Sequence, residues 1–355
     1  MHPLCGRGCV AVRGHAHGQR SRLKPQLREP VLDNAKDDPP EVGRLWLKRL
    51  NKYCHVRIRR RRCVLGRERP AKGQQSRKQQ EPGGTSATPP FQATLSLIEL
   101  HQKGCALKTE YDKPEDPLSK DATMTIVITD PLKEPMIHKD FPGGPLELQE
   151  YVMEVCDGIK DHLVRDPNDP KDTRWEYTYH QRLFAHVVPA LKMFDQIEIL
   201  CRKLAKTPHT RRAQAITWKV WEDNDCYDPP CLQSIWCRIL EEAGQPVLSM
   251  NVRFRSNDAY KAAFMNIFAL VQLQQRIAAR VSELGGRPVA VGRYVHLVDS
   301  YHIYGSYFKE FEGRFLGALQ KRTFEQRTLN YSDVKEMMEE AKPMILEKAA
   351  NMGKA

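Results

Sequence analysis

From position 92 onward the chain switches repeatedly between helical and strand hydrophobic periods. Residues 94–104 carry apolar side chains at 95, 97, 98 and 100 and stop on Gly104, which predicts a short helix. Residues 122–129 are dominated by Ile and Val in near alternation, the pattern of a strand. Between 146 and 164 the apolar positions 148, 151, 152, 155, 159 and 163 share one helical face, and 195–204 reads as a further helix with basic residues at its end, as its dipole favours. Residues 213–220, 232–240 and 247–255 are rich in β-branched and aromatic side chains, the last two divided by Ala243-Gly244-Gln245. They predict three adjoining antiparallel strands. A long helix over 258–284 ends at Gly285-Gly286, and a strand follows over 289–298. An amphipathic stretch at 307–322 and a charged helix at 332–350, with Ser332-Asp333 as its N-cap, close the pattern. The sum is an α/β (α+β) domain over residues 92–355, with a large mixed or antiparallel sheet covered by helices.

Composition alters this picture mainly at the N-terminal end. Hydrophobic residues make up 41% of the 355, enough for a sizeable core. The net charge is +12, yet residues 1–90 hold 21 of the 56 Lys and Arg and only 7 of the 44 Asp and Glu, so the basic excess lies wholly in the first quarter. The body therefore offers no general electrostatic argument for nucleic acid. Residues 1–91 combine Gly/Pro/Ser/Gln-rich tracts with Arg57, Arg59, Arg60, Arg61 and Arg62, and this composition predicts a mostly disordered basic arm. Three readings of the arm stand: a nucleic-acid-binding segment, an Arg-rich targeting peptide, or, favoured, an upstream extension without a selected fold. The apolar patch at 262–273 is broken by Asn266 and Gln272, so no stretch spans a membrane, and the N-terminus lacks the continuous apolar core of a secretion signal. Ten cysteines without a CxxC pair predict reduced thiols in a cytoplasmic protein, and the spacings of Cys5, Cys9, Cys54 and Cys63 match no zinc pattern.

Candidate chemistry concentrates in residues 209–237, HTRRAQAITWKVWEDNDCYDPPCLQSIWC. Cys231 closes Pro229-Pro230-Cys231, where two prolines fix φ and withhold two backbone donors, so the thiol enters the apolar run 232–239 from a rigid corner. Arg211-Arg212 opens the stretch with a paired fork suited to phosphate. Twenty-four residues after Cys231 comes Arg255-Ser256-Asn257-Asp258, eight after Asp258 comes Asn266, and later stand His296, His302 and Tyr304 as HxxxxxHxY. Taken singly, a strand cysteine is ordinarily inert packing and an arginine ordinarily a surface charge.

As a set, RR…PPC…RSxD…N…HxxxxxHxY resembles thymidylate synthase and its pyrimidine-hydroxymethylase relatives. The resemblance implies a homodimeric α/β methyltransferase that makes dTMP from dUMP. The one-carbon carrier would be a reduced pterin, either 5,10-methylenetetrahydrofolate or methylene-tetrahydromethanopterin, and no metal is implied. A pyrimidine C5 is a poor nucleophile until something adds at C6, which a thiolate does. Cys231 is the matching nucleophile, activated by Arg255 and the arginine pair. Asn266 would stabilise charge on O4 and accept from N3–H, which fits uracil; a carboxylate there would suit cytosine. Arg255 and Ser256 would hold the phosphate, with Arg211 and Arg212 reaching in from the partner of a homodimer. His302 and Tyr304 would bind the 3′-hydroxyl and Asp258 would orient the pterin. Tyr179 matches the cleft tyrosine, though a buried aromatic with a satisfied hydroxyl explains it as well. The family's active-site glutamate falls at Glu150 or Glu154, with Glu150 retained. Leu232 stands where most synthases have histidine, and the family's phosphate arginine near the domain start has no counterpart in 105–121. The divergent first half and the helical C-terminus resemble the archaeal-type branch. Two other functions stay open: a deoxypyrimidine nucleotide hydroxymethylase, and a non-catalytic relic whose basic arm binds nucleic acid.

Overall fold

Two prolines, which cannot continue a helix but fit its first turn, begin the folded body: Pro89 and Pro90 open helix α1 (Pro89–Lys103) and are themselves buried. The structure is a computed structural model, and it describes residues 88–353 apart from 167, 168 and 170. The expected boundary at 92 therefore falls inside α1. The rest of the expectation for residues 1–91 lies outside the described residues. Gly104 ends α1, its N–H bonding the Leu100 carbonyl at 2.7 Å.

A six-stranded sheet organises the remainder of the body, in the order β1 (Cys105–Leu107), β2 (Ser119–Ile128), β7 (Ala290–Ile303), β6 (Gln245–Asp258), β5 (Leu232–Glu242), β4 (Gln214–Ile216). A second sheet pairs only β3 (Ile137–His138) with β8 (Thr328–Leu329). Strands β4, β5 and β6 are antiparallel neighbours, as their sequence predicts. The β5–β6 turn puts both Ala243 (φ 50°) and Gly244 (φ 78°) in the left-handed region, the two-residue geometry that matches strand twist. β6 and β7 run parallel, because the long helix α6 (Ala263–Gly285) lies between them in sequence and supplies the crossover a parallel pair needs.

Alternation along the strands gives the sheet two unlike faces. Met124, Ile126, Ile235, Cys237, Met250, Val252, Phe254, Tyr294 and Val298 are buried in the main core with residues of α1, α2 (Pro145–Asp157), α4 (Gln196–Lys206) and α6. The opposite face carries Trp236, Asn251, Val295 and Val127, which are cross-strand neighbours and only half-buried.

Several elements are shorter than their patterns predict. The helix expected over 146–164 stops at Asp157, because Gly158 adopts φ 67° and a Cβ there would meet the His180 ring at 2.2 Å. The strand expected over 213–220 ends at Ile216, where Lys219 and Asp223 close a helical turn, α5 (Val220–Asp223). It follows α3 (Tyr179–Phe184), whose Arg182 grips Asp223 with both guanidinium arms. The amphipathic 307–322 stretch is interrupted by a π-helical segment, Phe311–Leu316. The helix expected over 332–350 divides at Ala341, and its cap is Asn330, not Ser332. No helix among the described residues is long and apolar enough to cross a membrane.

Candidate active site

Cys231 sits directly before β5, half-buried, where the strand begins. Three groups hold that corner. The Tyr177 hydroxyl accepts from the Cys231 N–H at 3.4 Å, the Tyr179 hydroxyl accepts from the Leu232 N–H at 3.3 Å, and the Arg255 N–H donates to the Cys231 carbonyl at 2.9 Å. The Arg255 side chain reaches further, Nε to the Pro230 carbonyl at 3.1 Å and Nη2 to the Pro229 carbonyl at 2.5 Å, with the Asp228 carboxylate 4.0 Å away. By donating to two consecutive proline carbonyls, one guanidinium ties the turn to β6.

Burial pushes the Cys231 thiol above its ordinary range; Arg255 and the Tyr177 hydroxyl oppose this and Asp228 adds to it. Within a single chain Arg255 is the guanidinium that acts on the thiol among the described residues, and desolvation outweighs it. Arg211 and Arg212 are exposed, beside β4, whose Gln214 pairs with Trp236. That is five positions along β5 from Cys231, roughly 15 to 17 Å in an extended strand. Their carbonyls are anchored by Trp236 Nε1 (3.0 Å) and Lys203 Nζ (3.3 Å), and among the described residues their guanidinium groups have no ionic partner.

Asn266 lies in the first turn of α6 and is 4% exposed. Its Oδ1 accepts from the Tyr151 hydroxyl on α2 at 2.5 Å. Burial raises the Tyr151 phenol well above its ordinary value, with Glu154, Tyr177 and Cys231 adding to the effect. Cys231 thus lies within electrostatic reach of the phenol that holds Asn266. Tyr177 and Tyr179 stack obliquely at 5.5 Å. Sequence reasoning missed Tyr151 and Tyr177. The available signal was chemical: a tyrosine on a buried helix face needs a partner for its hydroxyl.

The ends of β6 and β7 supply the remaining groups, since their parallel register sets Ser256 beside Ser300 and Asp258 beside His302. His302 Nδ1 lies 3.2 Å from the Ser300 carbonyl and 3.5 Å from the Ser256 hydroxyl, and Tyr304 meets the ring edge-on at 4.7 Å. Tyr304 also feels Asp258 and Cys231, although burial is the main reason its phenol is raised. Asp258 Oδ1 accepts from the Tyr260 and Lys261 N–H groups at 2.9 and 2.8 Å, so one carboxylate oxygen shapes the entry to α6. Burial nonetheless raises this carboxyl. His296 faces the core instead, bonded to Tyr294 at 2.9 Å and driven by burial to about 3, a neutral packing histidine.

The two glutamates of α2 separate cleanly. Glu150 pairs with Lys160 at 2.9 Å and with Lys348 of α11 (Lys342–Asn351) at 2.6 Å, so its carboxylate ties the C-terminal helix to α2. Against burial, which acts the other way, these lysines hold it below its usual range. Glu154 also binds Lys160 at 2.9 Å but lines a cavity of about 430 Å³, together with Tyr151, Trp175, Tyr177, Tyr179 and Asp228. The preference for Glu150 over Glu154 is therefore reversed by the geometry. Among the described residues no group of three His, Cys, Asp or Glu is placed to hold a metal.

Residues 155–344 match the family model described as thymidylate synthase, a span that contains Tyr179, Cys231, Asn266 and Tyr304 and leaves out Glu150, Tyr151 and Glu154. A protein of Methanocaldococcus jannaschii named "Putative thymidylate synthase" is 31% identical over 214 residues, which are 59% of this chain and 84% of that protein. One of the same name from Methanopyrus kandleri is 34% identical over 143 residues, 39% of this chain and 63% of its own length. Among solved structures, the thermostable thymidylate synthase A of Bacillus subtilis aligns at 16% identity with a TM-score of 0.48, covering 64% of this chain and 84% of that one. With a cysteine at a clamped strand start and a family match over more than half of its length, the chain belongs to the thymidylate synthase family.

Proposed function

We propose that this chain transfers a one-carbon unit to C5 of dUMP, giving dTMP, with Cys231 as the nucleophile. The observation that carries the proposal is a shared cavity wall: Tyr151, which donates to Asn266 Oδ1, and Tyr177, which accepts from the Cys231 N–H, line the same cavity. The Cys231 thiolate adds at C6, and the Asn266 amide meets the charge that this pushes onto O4. Because burial raises the thiol, ionisation has to be coupled to arrival of the ring or to rearrangement of Arg255. Nη1 of Arg255 makes no hydrogen bond to the described residues, so it remains free for a phosphate while Nε and Nη2 hold the proline carbonyls. Ser256 joins it, His302 and Tyr304 receive the 3′-hydroxyl, and Tyr179 keeps the strand start in place.

The cavity beside Cys231 suits a reduced pterin. Trp175 and Tyr177 offer ring faces, while Glu154, Glu176 and Asp228 offer acceptors for ring N–H groups, with Asp258 as an orienting carboxylate at the neighbouring strand end. When bound, such a carrier would supply carbon at the oxidation level of formaldehyde and the hydride that reduces it to methyl, leaving as a dihydropterin, while C5 loses its proton and the Cys231 thiolate departs from C6.

A homodimer completes the site. The half-buried sheet face around Trp236, Val295 and Leu297 is a ready surface, and on its strands Arg238 Nε and Asn251 Oδ1 are buried without partners. Trp236 anchors Arg211 at the edge of that face, from which Arg211 and Arg212 reach the phosphate of a second copy. Incubation with 5-fluoro-dUMP and either tetrahydrofolate or tetrahydromethanopterin carriers should yield a covalent adduct at Cys231, read by mass spectrometry. The mass of the product from dUMP separates a methyl from a hydroxymethyl group. Absence of an adduct with every carrier would refute the proposal.

A further inference from the structure

We propose that Tyr151 is a positioning residue that sets which pyrimidine the pocket accepts, by fixing the orientation of the Asn266 amide; this rests on the dUMP reading above. The contact is between two oxygens, the phenol and Asn266 Oδ1, at 2.5 Å. Oxygens this close need a proton between them, and only the phenol has one, so Tyr151 donates and Oδ1 accepts. Asn266 is 4% exposed, so its side-chain amide has little water to turn toward.

With Oδ1 held by Tyr151 through one lone pair, the second lone pair stays available to N3–H and the amide offers a ligand its Nδ2 hydrogens. They donate to the C4 carbonyl of uracil, whereas the 4-amino group of cytosine would meet them donor against donor. Without the hydroxyl the amide is free to turn over and offer Oδ1 to that amine. The phenol stays a donor across the working range of pH, because burial raises it, with Glu154, Tyr177 and Cys231 close by. Asn266 lies within the family-matched span and Tyr151 just before it.

Tyr151→Phe removes the hydroxyl and nothing else. Binding of dUMP and dCMP by calorimetry should show that the wild type prefers dUMP and that the variant loses about tenfold or more of that preference. In an Asn266→Ala background the same change should alter the preference by less than about twofold, because Tyr151 acts through the amide. A Tyr151→Phe protein with the wild-type ratio overturns the inference, as does a large Tyr151→Phe effect that persists without Asn266. Release of tritium from C5 of dUMP is followed in parallel. Loss of the preference in Tyr151→Phe beside a wild type that discriminates but releases no tritium would refute the transfer reaction while supporting the role of Tyr151.

Discussion

The two halves of the site are built by different means. Cys231, Arg255, Ser256, Asp258 and His302 stand at the ends of β5, β6 and β7, and strand pairing brings them together: Arg255 bonds Cys231 through the backbone, and Asp258 pairs with His302. Tyr151, Glu154, Tyr177, Tyr179 and Asn266 come instead from α2, α3, α6 and the loop before α3, and meet only through side chains. The strand half gains its precision from main-chain hydrogen bonds, the helical half from a few phenols. Substitutions in the first should strike bond formation and phosphate binding. Those in the second should strike the choice of base and the rate.

The largest effect is expected at the strand half. Cys231→Ser should abolish turnover, by about a thousandfold or more, while dUMP binding stays within a few-fold of wild type, since phosphate contacts supply most ground-state affinity. Turnover within tenfold of wild type would show that the strand half is not where the bond forms.

Asn266→Asp tests the helical half. A carboxylate meets uracil O4 as acceptor against acceptor, and an unpaired buried polar group costs roughly 1–3 kcal/mol, so dUMP efficiency should fall by about ten- to a hundredfold with preference moving toward dCMP. An unchanged ratio of the two efficiencies would separate Asn266 from base reading.

The pH behaviour of Cys231 links the halves, because burial raises the thiol while Arg255 from the strand half and the Tyr177 hydroxyl from the helical half lower it. Its pKa lies above the ordinary thiol value, so alkylation by iodoacetamide should still be accelerating as the pH rises past about 8.5, where an unperturbed thiol is half ionised. A plateau below pH 8 would mean that Arg255 overcomes desolvation.

The smallest effect contrasts two neighbours on one helix. Glu154→Gln, in the cavity wall, should slow turnover several-fold. Glu150→Gln should leave turnover unchanged and lower stability by about 1 kcal/mol, since it loosens two ion pairs, one to the mostly exposed Lys348 and one to the more buried Lys160. Thermal melts and initial rates of both variants decide it, and the reverse result would restore Glu150 to the site.

Much of this protein was determined by its sequence alone, wherever the signal is local. Proline at 229 and 230, the alternation of β5 and β6, and the spacing from Cys231 to Arg255 and Asn266 are set by near neighbours in the chain, and strands convert such spacing into position directly. The same holds for α6 and its glycine end. The tertiary structure decided what depends on contacts between distant segments. The hydrophobic pattern carried α2 on toward 164, but the His180 ring packed against Gly158 stops it at Asp157. Glu150 and Glu154 are alike in sequence, four residues apart on one helix, and only the arrival of Lys348 from α11 engages one of them and leaves the other in the cavity wall. Tyr151 reads as one more apolar position until α6 brings Asn266 to within hydrogen-bonding distance. The thiol's ionisation is of the same kind, because desolvation is a sum over every segment packed around it and no single stretch of sequence contains that sum.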